Sequence, residues 1–201
     1  GLRHSHGIGV SPDGSITLAT IQEGSWAPGT AIFNVGQGSF HGHRGPREGH
    51  GPFGYDLPQC FVPRGIDNSA GEICFLPHDK RLGPLAGQVM GSSYGYCNHY
   101  LILREEINGQ VQGGVVPLPG EFQSGACRLS FNNFDGHIYV AGTEGWQSYA
   151  AENGCLQRLR FTGRPLHLPT AIETKQNGLI VHCRQRIYLS FSRFFGENKN
   201  R

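Results

Sequence analysis

Four times the chain sets a polar turn ending in glycine, one further residue, and then a run of β-branched, aromatic or aliphatic side chains. The copies are Asp13-Gly14-Ser15-Ile16-Thr17-Leu18, Ser69-Ala70-Gly71-Glu72-Ile73-Cys74-Phe75, Asp135-Gly136-His137-Ile138-Tyr139-Val140 and Asn177-Gly178-Leu179-Ile180-Val181. Asp-Gly and Asn-Gly supply the positive φ that a tight hairpin turn demands, so these are hairpin signals; the Gly71 copy lacks such a pair and is the weakest. The copies recur roughly every 40 to 65 residues, the scale of propeller blades or arrayed hairpins. With 31 Gly and 12 Pro among 201 residues, and no amphipathic helical period of useful length, the chain reads as all-β.

Between these copies, residues 31–33, 85–90 and 100–103 read as strands, and residues 104–107 and 111–112 as a hairpin around Asn108-Gly109. Residues 128–131 pair across Asp135-Gly136 with residues 137–140. Residues 22–63 are rich in Gly, Pro and His, too Gly-rich for a helix, and residues 42–58 with Phe53 and Tyr55 read as a long exposed loop. Trp26 and Trp146 are expected in the core, with sugar stacking as the alternative. The expected organisation is one domain over residues 1–183, a partial β-propeller of about three antiparallel blades. A basic edge strand or frayed tail over residues 184–201 follows.

Net charge is +2, from 17 Lys and Arg against 15 Asp and Glu, which provides little attraction for nucleic acid or an anionic membrane. No apolar run reaches membrane-spanning length, and no charged segment leads into an apolar export signal. The chain has no starting Met, its single Met being Met90, so it is expected to be a piece of a longer protein. Six cysteines, Cys60, Cys74, Cys97, Cys127, Cys155 and Cys183, form no CxxC pair. Buried free thiols are the first expectation, because several occupy alternating apolar positions; one or two disulfides are the second.

The opening residues, Arg3-His4-Ser5-His6-Gly7, put a cation and two imidazoles in a loop that feeds a strand, at an end of a sheet where sites are usually built. His4 with His6, and His41 with His43, are each two apart and share a strand face, a spacing compatible with a metal; polar loop residues are the favoured reading. Gly36-Gln37-Gly38 supplies GxG with neither the third glycine nor a following helix, so a nucleotide cradle is not supported. No arrangement of Ser, His and Asp reads as a hydrolase triad. Arg3 and Arg128 each stand a few residues ahead of an Asp-Gly turn, and strands that begin together would bring both guanidinia to one mouth, as forked donors for a polyanionic ligand. The alternative is that each caps carbonyls or pairs with a surface acid.

The order of these motifs resembles that of the soluble quinoprotein glucose and sorbosone dehydrogenases. Gly1-Leu2-Arg3-His4-Ser5-His6-Gly7, then Pro12-Asp13-Gly14, Gln22 and Gly24, and Gly38-Ser39-Phe40-His41-Gly42 are similar to the family's GxRNPxG, PDG, QG and GGxYG segments. Residues 88–97, 112–119 and 128–147 extend the likeness over most of residues 1–183. The resemblance implies a six-bladed propeller binding pyrroloquinoline quinone and calcium, located in the periplasm or outside the cell. Its implied reaction is general-base removal of a sugar hydroxyl proton with hydride transfer to the quinone, and an electron-acceptor protein as a further partner. Carried over by motif, Arg3, His4 and Arg128 are the implied quinone-binding positions, Tyr96 falls near the family's lysine, and the backbone of Gly24 and Ser25 is the implied calcium site.

The departures are specific. His4 and Ser5 replace Asn and Pro, Glu23 is inserted in the QG turn, and Tyr96 stands where a lysine would neutralise an anion. The family's catalytic histidine belongs to an earlier blade, so no catalytic residue is expected in this chain. The alternative function is a propeller without catalysis that binds carbohydrate or a protein partner.

Overall fold

The computed structural model of the chain describes residues 1–23, 27, 29–43 and 55–184. Among them lie thirteen strands and one 3-10 helix, so the chain is all-β. Sheet I runs β1 (Ile8–Val10), β2 (Thr17–Ile21), β3 (Thr30–Asn34), β4 (Cys60–Val62), and sheet II runs β5 (Ala70–Phe75), β6 (Val89–Ser93), β7 (Asn98–Ile107), β8 (Gln110–Pro117). Sheet III is β9 (Gly125–Asn132), β10 (His137–Thr143) and β11 (Gly154–Leu159), while β12 (Leu168–Lys175) and β13 (Gly178–Arg184) form a separate hairpin. Every pairing is antiparallel and joins strands adjacent in sequence. The β7–β8 turn is Asn108-Gly109 with φ of 51° and 80°, both positive, as a two-residue primed turn requires.

The sheets lie face to face, and the sequence shows why. Tyr100 and Ile102 of β7 alternate with Leu101 and Leu103, and all four are buried, so sheet II is covered on both sides. Tyr100 and Ile102 join Leu18, Ile32, Val62 and Ile73 in the layer between sheets I and II. Leu101 joins Met90, Leu129, Ile138 and Val140 between sheets II and III. The other face of sheet I buries Ile21, Ala31 and Phe33. Ile8, Val10 and Phe61 share that face by register and remain 58%, 52% and 55% exposed.

The first strands of the three sheets, β1, β5 and β9, pack side by side. A methyl on Gly7 would overlap the carbonyl of Gly71, and one on Gly71 would overlap the carbonyl of Ala126, so the backbones meet only because these positions lack a Cβ. Gly9 meets Ile73 further along, so β1 and β5 advance in the same direction. Hydroxyls lock the junction: Gly7 N–H donates to Thr20 Oγ1 (3.1 Å), Glu72 N–H to Ser92 Oγ (3.0 Å), and Ser92 Oγ–H to the Ala126 carbonyl (2.9 Å). Bulges interrupt the β5–β6 and β9–β10 ladders at this junction.

Several sequence expectations change. Gly71 is not a turn residue but lies in β5 at the junction; the β5–β6 connection instead carries the 3-10 helix Lys80–Leu85, begun by Asp79 accepting the Arg81 N–H at 2.8 Å. The strand expected from residue 85 therefore starts at Val89, because Gly83 and Gly87 turn the backbone to φ of 57° and 74°. His41, expected in an exposed loop, is buried with its ring 4.5 Å from that of Phe33 and its Nε2 3.0 Å from Ser39 Oγ. Trp146, expected in the core, is 77% exposed. Trp26 and residues 185–201 lie outside the described residues. All six cysteines are free thiols, and burial pushes that of Cys60 up to about 12.

Candidate functional site

In an antiparallel meander every second connection falls at the same end. The segment before β1, the β2–β3 connection, the β6–β7 turn, the segment before β9 and the β10–β11 connection therefore gather at one end of the sheets. Arg3, His4 and Tyr96 all belong to that end, and Arg128, inside β9, reaches it with its side chain.

Arg3 is half-buried and donates through Nη1 to the carbonyls of Gln22 (3.4 Å) and Glu23, while Gln22 N–H returns a bond to the Arg3 carbonyl (3.2 Å). His4 is exposed and adopts a φ of 44°, which turns the chain between Arg3 and the junction. Arg128 Nη1 donates to the carbonyls of His6 (3.3 Å) and Cys127 (2.9 Å), and its Nε lies 3.4 Å from Glu72 Oε2. One guanidinium thus ties β9 to β5 and to the opening loop, three residues from Arg3. The two arginines come to the same end, each on carbonyls, and Arg128 also on an acid.

Tyr96 takes a different place. Its N–H donates to Ser93 Oγ (3.1 Å) and its ring stacks on Tyr149, centroids 5.1 Å apart and planes at 20°. The pair walls an open cleft of about 390 Å³ with Glu121, Phe122 and Gln123, which neither Arg3 nor Arg128 lines. Gly24 and Ser25 lie outside the described residues.

A buried carboxylate missed in the sequence sits between sheets I and II. Asp67 is fully enclosed; its Oδ1 accepts the Ser69 N–H (2.9 Å) and the Ser93 hydroxyl (2.5 Å), and the Tyr100 hydroxyl lies 3.4 Å from Oδ2. Burial raises its pKa to about 6 against the opposing pull of those hydrogen bonds, and the nearby Glu23 carboxylate adds to the rise. Glu23 Oε2 is itself buried with no partner among the described residues. The local signal was Asp67-Asn68-Ser69, an Asx-turn pattern that marks a turn and says nothing of burial. Gly91-Ser92-Ser93-Tyr94-Gly95 has the spacing of a nucleophile elbow, yet Ser93 is buried, leads into a strand, and is bonded to Asp67 with no histidine.

The donor set fits a polycarboxylate such as the quinone in part. A guanidinium has five N–H groups, and Arg3 Nε and Nη2 have no partner among the described residues, which leaves donors open for a carboxylate. Arg128 is already paired with Glu72. Among the described residues no group of three His, Cys, Asp or Glu side chains is placed to hold a metal ion, and no helix is long and apolar enough to cross a membrane.

No family model and no curated protein matches the chain. A solved structure is similar in fold: that of an oxidoreductase of Thermus thermophilus, provisionally named a glucose dehydrogenase, with a TM-score of 0.54 at 16% identity. The similarity covers 78% of this chain and 44% of that one, so the chain spans less than half of that protein. At this identity it is the arrangement of strands that the two proteins share.

Proposed function

We infer that the chain forms part of a sugar dehydrogenase-like quinoprotein of the glucose and sorbosone type, with sheets I to III as successive blades of a β-propeller. The observation that carries this reading is the meeting of Arg3 and Arg128 at one end of three sheets whose first strands run side by side, on a fold shared with a protein named as a glucose dehydrogenase. Blades packed about an axis present their first strands inward, and the free face of sheet I with Ile8, Val10 and Phe61 is where a further blade would pack.

In this reading bound pyrroloquinoline quinone, with calcium beside it, would supply the hydride acceptor for oxidation of a sugar hydroxyl. Arg3 would hold a carboxylate of the cofactor with its open donors while its Nη1 keeps to the carbonyls of Gln22 and Glu23, and the backbone of Gly24 and Ser25 is proposed for calcium. Arg128 would bind a second carboxylate in place of Glu72, and His4, exposed beside Arg3, would contact the same ligand. In this reading the base that removes the sugar proton belongs to an earlier blade. Work in the periplasm or outside the cell, with an electron-acceptor protein, belongs to the same proposal.

Two observations favour a second reading, a propeller without catalysis that binds carbohydrate: Glu72 already neutralises Arg128, and the Tyr96–Tyr149 stack with exposed Trp146 offers aromatic faces to sugar rings. Titration of the full chain with the quinone and calcium, followed by fluorescence, separates the two. Saturable quinone binding that falls at least tenfold in Arg3→Ala/Arg128→Ala supports the first reading. Absence of quinone binding together with aldose binding lost in Tyr149→Ala establishes the second.

A further inference from the structure

Sheets II and III touch closely where Gly71 meets Ala126 and diverge away from that junction. Side chains fill the wedge near the junction, but further out a cavity of about 310 Å³ remains. Leu82 and Met90 on one side and Ile138 and Leu159 on the other make its walls, and residues 160–166, connecting β11 to β12, cross its mouth. The volume is within the range of small-molecule sites, which are apolar with a few placed polar groups.

Besides Thr162, the polar lining is a buried histidine and two arginines. His99, on β7, is 4% exposed, tilts against Phe122 with ring centroids 5.1 Å apart, and leaves Nδ1 without a hydrogen-bond partner. Burial lowers its pKa to about 4, so the ring is neutral at neutral pH and retains one donor and one acceptor nitrogen. A buried polar group left without a partner is costly, and that of His99 stands beside the cavity, where a ligand can supply the missing hydrogen bond. At the mouth, Arg160 and Arg164 are exposed, and among the described residues neither makes an ion pair. Among the described residues no Asp or Glu lines the cavity.

We propose that this cavity binds an amphipathic organic anion, its apolar body between sheets II and III and its acidic head against Arg160 and Arg164. The apolar walls select the body, the two guanidinia select the sign of the head, and His99 offers a hydrogen bond to a polar substituent on the body. The site shares no residue with the Arg3 and Arg128 end, so it stands independently of the dehydrogenase reading.

Decanoate, with decan-1-ol as its neutral counterpart, tests this on the full chain by calorimetry, alongside circular dichroism of each variant. The expected result is one decanoate per chain. Arg160→Ala/Arg164→Ala weakens decanoate at least tenfold and changes decan-1-ol less than twofold, and Leu166→Trp, which fills the mouth, removes both. Two folded variants that leave decanoate binding unchanged, or wild-type binding that does not saturate, would overturn the proposal. Equal loss of both ligands in the arginine variant would overturn the assignment of an anion. Because the quinone titration reads a different end of the molecule, either result can fail without the other.

Discussion

Asp67 and His99 are both enclosed, and their charged forms are both disfavoured, yet they act on stability in opposite directions. For Asp67 the folded pKa of about 6 exceeds the usual 3.8, so the native state holds its proton longer than the unfolded chain. Its contribution is most favourable below the unfolded value and is lost as pH rises through about 6, by about 3 kcal/mol in all. His99, lowered to about 4 from 6.5, is a base that the unfolded chain protonates first, so its contribution is full above 6.5 and lost as pH falls through about 4. Denaturant unfolding of wild type and Asp67→Asn at pH 4 and pH 7 isolates the carboxyl. The variant is expected to gain on wild type by about 2–3 kcal/mol between the two pH values. A difference between them that does not vary with pH would mean that Asp67 titrates as a solvated acid. Neither residue was legible as special, because what perturbs them is the closure of one sheet on another, and residues 67 and 99 carry no local mark of that. Arg3 and Arg128 were legible as cations near strand ends, but the acid beside Arg128 was not, since Glu72 reads as a solvated residue until the bulge of β5 turns it toward β9.

At the scale of the element, local turn chemistry decided how well the strands were anticipated. Asn108-Gly109 announced the β7–β8 hairpin, and Asp13-Gly14 and Asp135-Gly136 announced those of β1–β2 and β9–β10, because each pair can take the positive φ its turn needs. Gly109→Ala is accordingly expected to lower stability by about 1–2 kcal/mol, measured by thermal or denaturant unfolding, since alanine at φ of 80° meets its own carbonyl. The same substitution at Gly114, within β8 and with open space around a Cβ, should not destabilise. Gly71 misled for the converse reason: a glycine needed for close approach of two backbones looks, in sequence, like one needed for a turn. The β12–β13 hairpin illustrates a third case. It is anchored by Glu105, whose carboxylate accepts from Thr174 N–H (2.9 Å) and Thr174 Oγ1 (2.5 Å), a contact between residues too far apart in sequence to be read from it.

For the whole molecule, the all-β class followed from turn-forming glycines and the lack of helical periodicity. The stacking of the sheets depended on pairings that no local pattern encodes. Each sheet is assembled from strands adjacent in sequence, whereas the junction of β1, β5 and β9 joins Gly7 to Gly71 and Gly71 to Ala126 across the length of intervening sheets. That division has a kinetic consequence. Meanders with local contacts form early, and the docking of their first strands, which must first close long loops, comes late in folding. Gly71→Ala sets a methyl against the Ala126 carbonyl and the Ser92 hydroxyl and is expected to cost about 1–3 kcal/mol. In stopped-flow chevrons the loss should appear almost wholly as faster unfolding, with the refolding arm little changed. A refolding rate that fell by the full amount would place the junction in the nucleus. The same glycines that let the first strands of three sheets pack side by side are then the latch of the fold: the last contacts to close and the first to open.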